Sequence, residues 1–246
     1  MAVALVAAVV AATAGAAPPG IAVTTTTVEL AGRDGDVDVY VPRDGTPSEV
    51  AIVAHGFART RHRHSDLGRA LAEAGVAAVV PDLPFVLDLW GNGEAIVELV
   101  GRIEQGALGL PPVPRTRIVL MGTSAGGLAT VVAAAKLETV AGWIGLDPVD
   151  RTGTGARAAE QVKAPAIVLL ADSSPCNLFG SGRAIADALP QLVRRTKFDG
   201  ASHCDFESPS NNFCRAVCGT SVADTDAKIR DETVAATLEL LRRETR

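Results

Sequence analysis

The 246-residue chain is long enough for one α/β domain of ordinary size, and an apolar content of 48% supplies a sizeable core. A net charge of −5 and a pI near 5.4 argue against the basic face that a nucleic-acid binder carries. Aromatic residues are only 4%, so Ala, Val, Leu and Ile must build the core.

The first residues, 1–17, read as a signal peptide. The apolar run 3–12 has the length of a signal h-region and falls short of the ~20 residues a membrane span needs. Ala14-Gly15-Ala16-Ala17 then offers a cleavage site before Pro18-Pro19, although no Lys or Arg precedes the run. Residues 18–246 are expected to form one domain, secreted or periplasmic and without stable membrane insertion. From there, strand-like and helix-like segments alternate, the pattern of a mostly parallel sheet wound with helices on both faces. Strands are expected at 24–30, 37–41, 50–54, 76–80, 117–121, 140–146, 165–171 and 194–198. Helices are expected at 65–74, 94–108, 125–137, 181–189 and about 223–243. The fold class is therefore α/β, a doubly wound eight-stranded sheet. The longest unassigned loops, 81–93, 147–164 and 202–224, are too short for a sizeable cap domain.

Cys176, Cys204, Cys214 and Cys218 all lie in the last third. An even number in an exported chain implies two disulfides, and the sequence leaves all three pairings open. A metal site is the weaker reading, because there is no C-x-x-C pair and only His203 lies nearby.

The chemistry starts at Gly122-Thr123-Ser124-Ala125-Gly126, a G-x-S-x-G between an expected strand and an expected helix. Such a turn needs glycines where the backbone packs closely and leaves the serine hydroxyl exposed at a helix N-terminus. In that context the motif resembles the nucleophile elbow of the α/β-hydrolase fold. A serine needs a base, and His203 is the only histidine after Ser124. It lies in the loop before the closing helix, where this fold carries its base. The acid is a fork between Asp147 and Asp172, each at the carboxyl end of an expected strand. The oxyanion donors should be the backbone N–H of Ala125 and that of Phe57, in the His55-Gly56-Phe57-Ala58 segment after the strand 50–54. His55 reads as a hydrogen-bonding support under that loop. Arg59-Thr60-Arg61-His62-Arg63-His64 either attracts an anionic substrate or is a solvated loop entering a helix, the second being the simpler reading. Phe85 and Trp90 either roof the pocket or pack on the core.

His55-Gly56-Phe57, Gly122-Thr123-Ser124-Ala125-Gly126-Gly127 and Gly145-Leu146-Asp147-Pro148-Val149-Asp150 resemble the H-G-F, G-H-S-R-G-G and G-V-D-P-V-D segments of the chlorophyllase family. That resemblance places the acid on Asp147. His55-Gly56-Phe57-Ala58 and Gly200-Ala201-Ser202-His203 are also similar to segments of bacterial cutinases and polyester hydrolases. Their A-D-x-D acid loop aligns with Ala171-Asp172 but puts Ser174 where the acid stands. Together the resemblances imply a carboxylesterase with Ser124, His203 and Asp147 as triad (Asp172 the alternative acid) and Phe57 and Ala125 as oxyanion hole. They imply no cofactor and no metal. The expected partner is a small or polymeric ester met by a monomer, with no nucleic acid. An acyltransferase, an amidase of the same fold and a non-catalytic binding protein are the alternatives.

Overall fold

The computed structural model describes residues 20–43, 46–221 and 224–243, so the expected signal peptide lies outside the described residues. In chain order the elements are β1 (Ile21–Leu30), β2 (Arg33–Pro42), β3 (Val50–Ala54), α1 (Ser65–Glu73), β4 (Ala77–Pro81), α2 (Leu89–Glu104), β5 (Ile118–Thr123) and α3 (Ala125–Lys136). There follow β6 (Gly142–Leu146), α4 (Thr154–Ala159), β7 (Ala166–Leu170), α5 (Gly182–Ala188), β8 (Leu192–Lys197), α6 (Asn212–Cys218) and α7 (Thr225–Arg243). The eight strands make one sheet in the order β1-β2-β4-β3-β5-β6-β7-β8. The β1–β2 and β2–β4 pairs are antiparallel and every later pair is parallel. This is the doubly wound, mostly parallel sheet read from the sequence, and the described residues hold no sizeable cap.

The central strands are buried on both faces, which is why each reads as an unbroken apolar run. Side chains alternate between the faces. Val50, Ile52 and Ala54 of β3, with Ile118 and Leu120 of β5, join the core beneath α2 and α3. Ala51, Val53, Val119 and Met121 point the other way, into the core shared with α1 and α7. The largest fully buried side chain, Trp143, satisfies its indole N–H on Thr130 Oγ1 at 3.0 Å.

Three helical segments differ from the sequence reading. α2 starts at Leu89 rather than 94, because Asp88 caps it by accepting the Gly91 N–H at 2.8 Å. Gly93 looks like a breaker in sequence, but α2 and α3 approach so closely there that a Cβ would meet Val132. α4 and α6 fall within segments read as loops; they span only six and seven residues, too few for a periodic signal. Among the described residues no helix is long and apolar enough to cross a membrane.

Candidate active site

β5 turns directly into α3 at Ser124, whose backbone sits at φ 56°, ψ −120°. A non-glycine residue at positive φ stores strain, and the surroundings must hold it there. They do so by crowding. A Cβ on Gly122 would collide with the Gly126 carbonyl group, and one on Gly126 would collide with the carbonyls of Ala54 and His55. The Ser124 N–H donates to Leu146 O at 3.2 Å, and the Ser124 carbonyl accepts the Val149 N–H at 3.1 Å. The elbow is thus tied to the end of β6.

Asp147 is the next residue after β6. It is 1% exposed and also at positive φ. Its carboxylate is closely ringed. Oδ1 accepts the Ala171 N–H at 3.1 Å and Oδ2 accepts Asn177 Nδ2–H at 3.1 Å. Oδ2 also lies 2.6 Å from His203 Nδ1. A charged carboxylate beside a ring nitrogen at that distance accepts the Nδ1–H, which leaves Nε2 as the free basic nitrogen of a neutral His203. His203 opens a short helical turn, His203–Phe206, which is fastened to its surroundings on several sides. Thr123 Oγ1 donates to Phe206 O at 3.1 Å, and the Cys204–Cys214 disulfide anchors the turn to α6. Ser124 and His203 border the same cavity of about 360 Å³.

Asp172, the other sequence candidate, has no bond to His203. It is partly exposed, pairs with Lys197 Nζ at 2.6 Å and accepts the Gly200 N–H at 2.7 Å. The Lys197 hydrogen bond, helped by that amide, holds its carboxyl below the usual range.

Phe57 and Ala125 flank Ser124, and both border a second cavity of about 670 Å³. Neither backbone N–H donates to an acceptor among the described residues. His55 shapes the Phe57 side. The Leu83 N–H can only donate, and it lies 2.9 Å from His55 Nε2. Nε2 is therefore unprotonated, and Nδ1–H donates to Gly56 O at 2.8 Å. Pinning that carbonyl turns the other edge of the same peptide, the Phe57 N–H, the opposite way. Burial keeps the His55 pKa below its ordinary value.

The basic run leads into α1 with Thr60 and His62 exposed, as in the simpler reading, but Arg59 and Arg61 are paired rather than free. Arg61 is held among Asp36, Asp38 and Asp82 at 3.3, 3.0 and 2.5 Å. His64 is fully buried. Arg59 Nε bonds Glu207 Oε1 at 2.6 Å, and both residues border the smaller cavity. Burial raises the Glu207 pKa, against the lowering pull of Arg59. The sequence reading did not single out Glu207; its only signal is a place four residues after His203. Trp90 borders the larger cavity, while Phe85 instead carries the Arg33 guanidinium over its ring at 4.7 Å.

The cysteines pair as Cys176–Cys218 and Cys204–Cys214. The sulfurs of Cys204, Cys214 and Cys218 lie within 4.8 Å of one another. All are tied up in disulfides, so none is a thiolate able to ligate a metal. Two disulfides are compatible with a secreted or periplasmic protein.

No protein-family model matches the chain. No curated protein sequence matches it either. Among solved structures it is similar to a dienelactone hydrolase from Anabaena variabilis, with a TM-score of 0.69 at 18% identity over 91% of this chain and 99% of that one. At that identity the likeness speaks to architecture, and with the strand order above it gives this chain the α/β-hydrolase fold.

Proposed function

We propose that the chain is an exported serine hydrolase that cleaves carboxylic esters through an acyl-enzyme. The observation that carries this reading is the buried 2.6 Å His203–Asp147 hydrogen bond in a site where His203 and the elbow residue Ser124 border one cavity. In the reaction Ser124 Oγ attacks the ester carbonyl while His203 Nε2 takes its proton. Asp147 holds the imidazole in the required tautomer and stabilises its cation. The Phe57 and Ala125 amides receive the developing oxyanion. His203 then protonates the leaving alcohol, and water repeats the cycle on the acyl-enzyme. Every step uses groups of this chain.

Three features support esters in particular. The Gly145–Asp150 segment resembles that of chlorophyllases, and the His55 and His203 segments resemble those of bacterial cutinases. The neighbour of the same fold is by its name a hydrolase of a lactone, which is a cyclic ester. Export is supported by the two disulfides.

The test is hydrolysis of p-nitrophenyl acetate, butyrate and octanoate by the oxidised protein. Turnover is expected for at least one ester, and Ser124→Ala is expected to abolish it. Turnover that survives in Ser124→Ala would remove the serine from the mechanism. No turnover by the folded wild type, together with no labelling by a fluorophosphonate, would overturn the reading.

A further inference from the structure

Two cavities meet at Ser124, and different residues border them. Phe57, Ser124 and Cys176 border both. The larger, about 670 Å³, continues past Leu128, Val149 and Trp90 to Arg151 and Thr152. The smaller, about 360 Å³, contains His203, Arg59 and Glu207. In the ester-hydrolase reading, on which this inference rests, the leaving oxygen takes its proton from His203. The leaving group therefore departs on the His203 side of Ser124, into the smaller cavity. The acyl group is left to the larger one.

The Glu207 carboxylate is only half engaged. Oε1 accepts from Arg59 Nε at 2.6 Å, whereas Oε2 is buried and has no hydrogen-bond partner among the described residues. A buried acceptor without a donor is costly, and because Glu207 borders the cavity, a small turn of its side chain lets Oε2 receive a donor from a ligand. Arg59 already balances the charge of Glu207. A neutral hydroxyl completes this pair, whereas an ammonium would add an uncompensated charge to a largely desolvated site.

We infer that the smaller cavity takes the alcohol half of the ester, and that Glu207 selects alcohols that keep a free hydroxyl beside the ester bond, as in the monoesters of a 1,2-diol.

The decisive pair of substrates is 2-hydroxyethyl butyrate and n-propyl butyrate, which have the same number of heavy atoms and differ by one hydroxyl. The oxidised wild type is expected to favour the hydroxyethyl ester in kcat/KM by about ten- to a hundred-fold, the worth of a hydrogen bond to a charged group. Glu207→Gln should shrink that ratio, and Glu207→Leu should bring it close to one. Each variant also serves as the reference for the intrinsic reactivity of the two esters. Fluorophosphonate labelling of Ser124 and the urea midpoint report whether each variant is folded.

A wild-type ratio near one overturns the inference without recourse to any variant. A ratio unchanged in both folded variants overturns the assignment to Glu207. A preference for butyrylcholine over both esters overturns the neutral hydroxyl. These failures differ from failure of the function itself, in which no ester is turned over and Ser124 is not labelled.

Discussion

Asp147 and Asp172 sit at the ends of neighbouring strands and differ in what holds each carboxylate. Asp147 is buried and shared among the Ala171 N–H, the Asn177 amide and His203. Asp172 is partly exposed and spent on Lys197 and Gly200. Asp147→Asn keeps the shape but offers His203 the wrong hydrogen-bond pattern, and kcat should fall by about 10⁴-fold, as in a serine-protease triad. Asp172→Asn loses a surface ion pair, of small energetic value, and should keep kcat within a few-fold. Steady-state hydrolysis of p-nitrophenyl butyrate by the two variants checks this; equal losses would refute the assignment. The fork could be seen in sequence, since both residues end apolar runs. Which of the two lies against His203 could not, because that depends on Asn177 and His203, which only the tertiary fold brings to Asp147. The places of Ser124, at a strand-to-helix turn, and of His203, in the loop before α7, were legible because they rest on local turn chemistry and chain order. Glu207 was not, because an isolated glutamate acquires meaning only through a partner as remote as Arg59.

At the scale of elements, one of the two helices missed in sequence, α6, explains how the smaller cavity gets its wall. α6 is seven residues long and borrows its order from outside. Asn211 caps it by accepting the Cys214 N–H at 2.8 Å, and both disulfides end on it, at Cys214 and Cys218. Phe213 and Val217 of α6 border the smaller cavity, so the disulfides hold a wall of the site rather than the sheet. Cys176–Cys218 spans 42 residues of sequence. On a chain-entropy account its removal should cost about 4 kcal/mol. For a domain of this size that lowers Tm by roughly 10 °C. In a Cys176→Ala/Cys218→Ala variant, calorimetry should register that drop. The elbow is built by β5, α3 and β6, so Ser124 should still react with a fluorophosphonate, while KM rises for esters with bulky leaving groups. A variant with an unchanged KM would separate α6 from substrate binding. Longer elements such as α3 and α7 were legible because they bury enough apolar surface to impose a pattern. α4 and α6 leave too little sequence for one.

For the whole molecule, the sheet was readable because the central strands are enclosed by both cores and so repeat as apolar runs between turns and helices. What those runs do not reveal is which polar groups the cores also enclose. His64 is fully buried, and neither ring nitrogen has a hydrogen-bond partner among the described residues. Burial pushes its pKa down to about 3, with nearby His55 adding to the effect. His55 is lowered by burial as well. In the unfolded chain each histidine titrates near ~6.5. Below that pH the unfolded state binds protons that the native state refuses, so stability must fall as pH drops, by up to about 1.4 kcal/mol per pH unit for each histidine. Glu207 opposes this. Its raised pKa lets the native state hold a proton above ~4.5, but a single carboxyl offsets at most one of the two histidines. Urea unfolding at pH 7, 6 and 5 should therefore show a steady loss of stability before the ordinary carboxylates begin to titrate. His64→Leu puts an apolar side chain where the unpartnered imidazole sits and should flatten that slope by about one proton, or about 1.4 kcal/mol per pH unit where His64 dominates. Parallel curves for the wild type and His64→Leu would mean that the acid sensitivity of this fold arises elsewhere.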